Sequence, residues 1–213
     1  MMFPEYTRNE RLVDGTIHIV GVVASLVAAA ALLREVAPTR DALAIASAAI
    51  YGAGMVAMFG LSAAYNLAAR PGWKEAIRRY DHAAIFLMIA GTYTPLALVG
   101  IGGRLGDGLV ASVWSIAILG LAFKLLWPRR FERASLFLYL AVGWLGLPVV
   151  GSLVAAQPAT VVILVGIGAV LYTIGVAFHS WQALPHHNAL WHALVLAAAG
   201  CHYVAVFDVV VGG

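Results

Sequence analysis

Residues 134–178 read ASLFLYLAVGWLGLPVVGSLVAAQPATVVILVGIGAVLYTIGVAF, without one charged residue or histidine. At about 1.5 Å per residue, one helix of that length would be about twice as long as a bilayer's hydrocarbon core is thick. The stretch must fold back on itself. Gln157-Pro158 is the natural break, because proline disfavours helix at the residue before it. Two spans follow, over 134–155 and 159–178.

The same length criterion finds five more apolar runs: 17–33, 42–69, 82–99, 108–127 and 188–207. The second is longer than a bilayer needs and is expected to tilt or to enter the interface. Gly100, Gly102 and Gly103 close the third, and Leu184-Pro185 precedes the last. The composition agrees: 62% of the residues are hydrophobic and only 11% are charged. A soluble chain is usually about one quarter charged, so lipid has to solvate part of this one. The fold class expected is an all-α integral membrane protein, a seven-helix bundle forming one membrane domain over residues 1–213.

The charges set the orientation. Arg8, Arg11, Arg70, Lys74, Arg78, Arg79, Lys124, Arg129, Arg130 and Arg133 fall on one side of seven alternating spans. Only Arg34, Arg40 and Arg104 fall on the other. Basic residues stay in the cytoplasm, so the N-terminus is expected inside and the C-terminus outside. Trp73, Trp127 and Trp181 lie near the expected interfaces. The segment before the first span mixes Arg8 and Arg11 with Glu5, Glu10 and Asp14, unlike the basic start of a secretory signal. A single cysteine, Cys201, excludes a disulfide within the chain. The basic residues sit in short loops, which argues for a membrane surface rather than nucleic acid as partner.

Ionisable groups within membrane spans are costly and are functional candidates. Asp14 and His18 stand one turn apart at the start of the first span, as do Ser62 and Asn66 at the end of the second. Asp81 and His82 are expected to open the third span, and His179 to close the sixth. Asn188 and His192 share a face at the start of the seventh. With the topology above, all of these fall at cytoplasmic helix ends, which points to a polar cavity open to that side. Simpler roles are available for each. Asp81 can be an N-cap, Asp14–His18 a local pair, and Ser62 can bond back to its own helix. His186 and His187 read as loop residues, and His202 as an interhelix hydrogen-bonding group.

Five segments resemble the bacterial hemolysin III proteins, which belong to the progestin and adiponectin receptor superfamily. They are the stretch from Glu10 to His18, RYDHAAIFLMIAGTYTP at 79–95, LYLAVGWL at 138–145, GAVLYTIG at 168–175 and WHALVLAAAGCH at 191–202. The resemblance implies seven helices and a cytoplasmic N-terminus. It also implies a zinc site, with ligands at positions 66, 188 and 192 and an aspartate at 81 holding a zinc-bound water. This chain places Asn66 and Asn188 at two of the ligand positions and keeps Ser62, Asp81 and His192. Amide oxygens are poor partners for zinc, which prefers imidazole and thiolate. The pair of asparagines reads as a metal-free network, Asn66 and Asn188 bridging Asp81 and His192.

Three functions compete at this point. The favoured one is a non-catalytic or lipid-sensing protein of membrane homeostasis with a cytoplasm-side polar cavity. The second is the zinc-dependent lipid amide hydrolase implied by the family, with Ser62, Asp81 and His192 as its catalytic groups. The third is a pore-forming hemolysin, against which stands the lack of a row of charges along any one helix. Asp14, His18 and His82 complete the polar-cavity candidates. The expected location is the bacterial inner membrane, and the expected partners are membrane lipids, with homo-oligomers left open.

Overall fold

A computed structural model describes residues 6–127 and 132–212. Glu5, and Arg129 and Arg130 of the fourth loop, lie outside the described residues. Eight α-helices account for the described chain: α1 Arg8–Val36, α2 Ala42–Asn66, α3 Pro71–Pro95, α4 Gly103–Leu126, α5 Glu132–Gly143, α6 Val150–Ala156, α7 Ala159–Ser180 and α8 His187–Val211. They supply seven helical segments long and apolar enough to cross a membrane, with α5 and α6 sharing the fifth.

Local chemistry explains where the helices start. Thr7 caps α1: its hydroxyl accepts from the Glu10 N–H at 3.2 Å, and Glu10 Oε2 accepts from the Thr7 N–H at 2.8 Å. Asp41 caps α2 through the amides of Leu43 and Ala44. Pro71 opens α3, where a missing N–H costs nothing. Two of these starts correct the sequence reading. The first helix begins at Arg8 and not Ile17, and the third at Pro71 and not His82. Hydropathy finds the apolar centre of a helix, whereas charged turns continue its hydrogen bonding into the interface. Asp81 therefore lies well inside α3 and is not its N-cap. His187 is likewise no loop residue, because it opens α8 and is buried.

Pro95 ends the regular part of α3. It has no N–H and crowds the preceding turn, and the chain continues as a π-helical turn over Leu96–Ile101. Gly102 (φ +69°) and Gly103 (φ +58°) then reverse it into α4 through backbone shapes that other residues rarely adopt. The fifth span is interrupted between α5 and α6, where one continuous helix was expected. The Tyr93 hydroxyl pins the break, donating to the Gly143 carbonyl at 2.7 Å and accepting from the Gly146 N–H at 2.8 Å.

Small residues bring the helices together, as is usual where lipid removes the hydrophobic drive for association. A Cβ on Gly106 of α4 would stand 2.2 Å from the Ala97 carbonyl oxygen, and Gly120 lies under the Phe86 ring. On α7, Gly168 and Gly175 receive the rings of His202 and Trp191. His202 Nε2 also lies 3.1 Å from the Val165 carbonyl oxygen, the interhelix bond expected of it. α8 packs against both α7 and α1, and α2 against α1 and α3. The start of α1, the end of α2, the start of α3 and the start of α8 thus meet at the end of the bundle carrying Arg70, Lys74, Arg78 and Arg79.

Candidate functional site

Each of α1 and α8 presents two polar side chains one turn apart, and the two pairs face each other. Asp14 lies at the centre. Its Oδ1 is 2.6 Å from His192 Nδ1, and its Oδ2 accepts from the Asn188 amide at 3.0 Å. His18 Nε2 stands 3.6 Å from the same Oδ2, and the His18 and His192 rings are 4.2 Å apart, centre to centre. These contacts join residues 174 and 178 positions apart in sequence. His18 is 3% exposed, so the cluster sits in the protein and not on its lipid surface.

A second polar group lies beside it. The Asp81 carboxylate is within electrostatic reach of Ser62 and His18. His82 Nε2 lies 3.9 Å from Asp81 Oδ2, and its backbone carbonyl accepts from the Tyr139 hydroxyl at 2.8 Å. Asn66 does not join either group, because its amide donates to the Ser62 backbone carbonyl at 3.0 Å, within its own helix. Asn188 reaches Asp14 where a bridge to Asp81 was expected. The sequence suggested Asp14 with His18 as a local pair. It held no signal that α8 would complete the group.

Around this centre, Glu10 Oε1 accepts from the His186 backbone N–H at 3.0 Å, tying the start of α1 to the loop before α8. That bond satisfies an amide at a residue with left-handed backbone (φ +60°). Tyr6 stacks obliquely on His187, ring centres 5.9 Å apart. Burial, with the Asp14 charge second, pushes the Tyr6 phenol up to about 12, so it stays a protonated donor at neutral pH. A cavity of about 410 Å³ opens beside Asp14, lined also by Glu10, Arg11, Asn66, Lys74 and Asn188.

The Haemolysin-III related family matches residues 6–203. The chain belongs to that family. It is 33% identical over 201 residues to the hemolysin-3 homolog of Bacillus subtilis (strain 168), covering 94% of each chain. It is 31% identical over 198 residues to hemolysin-3 of Bacillus cereus, covering 93% of this chain and 90% of that one. The human monocyte to macrophage differentiation factor is 27% identical over 167 residues, 74% of this chain and 68% of the relative. This haemolysin-III protein is accordingly a multi-pass membrane protein.

The zinc site that the family resemblance implied can be tested against the side chains present. Asn66 turns its amide back to its own helix, and Asn188 aims its N–H at Asp14. Each asparagine leaves only a neutral carbonyl oxygen as a possible ligand, which zinc disfavours against imidazole and thiolate. Of the three expected positions only His192 offers an imidazole, and the set 66, 188 and 192 does not fit zinc.

Proposed function

We propose that this haemolysin-III protein is a non-catalytic lipid-binding protein of the bacterial inner membrane, taking a phosphate-bearing headgroup into a polar cavity on its cytoplasmic side. The observation that carries the reading is the cavity of about 410 Å³ at the basic end of the bundle, open beside Asp14. Arg11 and Lys74 line it, and a guanidinium and an ammonium suit phosphate oxygens. Asn66 and Asn188 add neutral groups that accept as well as donate. Tyr6, protonated at neutral pH, adds a hydroxyl donor. The excess of basic residues on this side supports a cytoplasmic orientation, where anionic lipids are found.

The test is lipid retention. Protein reconstituted with phosphatidylglycerol and phosphatidylcholine in equal amounts is re-extracted in mild detergent, and bound lipid is read by native mass spectrometry. We expect enrichment of the anionic lipid, reduced in an Arg11→Gln/Lys74→Gln variant. Equal retention of both lipids by parent and variant overturns the reading. Two parallel assays cover the other functions. Turnover of a fluorescent ceramide would revive the lipid amide hydrolase, with Ser62, Asp81 and His192 as the groups to mutate. Dye release from the same liposomes would revive the pore.

A further inference from the structure

The Asp14–His18–His192 cluster contains a group that its hydrogen bonds do not account for. His18 is 3% exposed, and its Nε2 has no hydrogen-bond partner among the described residues. A buried polar atom left in that state is costly, more so in a bundle surrounded by lipid. The nitrogen is aimed at Asp14, with 3.6 Å separating it from Oδ2. One carboxylate oxygen of Asp14 and one ring nitrogen each of His18 and His192 all lie within 4.8 Å of one another. With metal–ligand bonds of about 2.0–2.2 Å, donor atoms of a tetrahedral site stand roughly 3.5 Å apart. The 2.6 Å pair needs to open by about an ångström to reach that spacing, whereas His18 Nε2 and Asp14 Oδ2 already stand 3.6 Å apart.

We propose that Asp14, His18 and His192 form a divalent transition-metal site that joins the first helix of the bundle to the last. Two imidazoles and one carboxylate select a zinc-like ion. Magnesium and calcium require mostly oxygen ligands. Asp14 and His18 are one turn apart on α1, so a single helix supplies two of the three donors. Asn188, one turn before His192, holds the Asp14 carboxylate by its amide and orients it without touching the ion. The site thus keeps His192 from the family set and replaces the donors at 66 and 188 with a carboxylate and an imidazole from α1. The ion would supply the partner that His18 Nε2 lacks. The proposal does not depend on the headgroup reading.

The experiment is metal reloading of the purified full chain. Protein stripped with a chelator is incubated with Zn²⁺, desalted and analysed by elemental mass spectrometry. A parallel sample takes Co²⁺, read by its visible d–d bands. We expect near one Zn²⁺ per chain, Co²⁺ bands of a low-coordinate site, and a melting temperature raised by Zn²⁺. His18→Gln removes a nitrogen that makes no hydrogen bond, so it is the variant that keeps its fold. It should lose the bound metal and the thermal shift together. Asn188→Ala should retain the site with affinity lowered about 10–100-fold. His82→Gln, which alters the neighbouring polar group, should bind as the parent does. Parent protein that takes up no Zn²⁺ and shows no thermal shift overturns the proposal. So does a folded His18→Gln variant that binds Zn²⁺ as well as the parent.

Discussion

Helices α3 and α7 both cross the bundle, but they meet different surroundings. In the most apolar part of the third span, which runs from α3 into the π-helical turn, 61% of the residues are buried inside the protein, against 17% in that of α7. In a water-soluble protein the more buried helix would be the more apolar one. Here the order is reversed. α3 carries Asp81, His82, Thr92 and Thr94, whereas α7 is aliphatic almost throughout. Hydrocarbon solvates the apolar faces at no cost, so burial is left for polar groups and for close backbone contact. Thr94 illustrates this: buried in α3, its hydroxyl donates to the Ala90 carbonyl and accepts from the Trp114 indole of α4 at 3.0 Å.

The contrast can be tested by substitution, with stability read as thermal unfolding in detergent micelles. The largest effect is expected at Gly106, where added atoms meet the backbone of Ala97. Gly106→Leu should cost about 3 kcal/mol or more, because neither helix can move without breaking the turn between them. Asp14→Ala comes next. It leaves Asn188 without an acceptor and His192 without its carboxylate, and should cost about 1–3 kcal/mol. Trp114→Phe removes one interhelix donor and should cost about 1 kcal/mol, in line with hydrogen bonds measured in other membrane bundles. The smallest effect belongs to Gly166 of α7, which has open space beside it. Gly166→Ala should be neutral or stabilise by up to about 1 kcal/mol through helix propensity. If Gly166→Ala destabilises as much as Gly106→Leu, the lipid-facing assignment of α7 is wrong.

Much of the architecture was legible because the bilayer imposes a length. The break at Gln157-Pro158 and the start of α7 at Ala159 follow from counting residues and placing one proline. What counting misses is hydrogen bonding beyond the apolar window. Helix α1 gains about two turns from its capping box, and α3 gains three from Pro71 onward. The interruption at Gly143 also escaped, since it depends on Tyr93, which comes from another helix. The site divides in the same way. Pairs such as Asp14 with His18 are written in helical spacing, and the eye finds them. The meeting of Asp14 with His192 depends on which helices are neighbours in the closed bundle, and no local pattern carries that.

The bond from Asp14 to His192 has a consequence for biosynthesis. Its partners lie 178 residues apart. At a synthesis rate of about 5–20 residues per second, His192 is made on the order of ten to thirty seconds after Asp14. For that interval α1 resides in the membrane with a carboxylate and an imidazole that have no partner on α8. A nascent or truncated chain therefore presents an exposed polar face that the finished bundle conceals. That face gives insertion chaperones and membrane proteases a chemical means of telling an unfinished chain from a completed one.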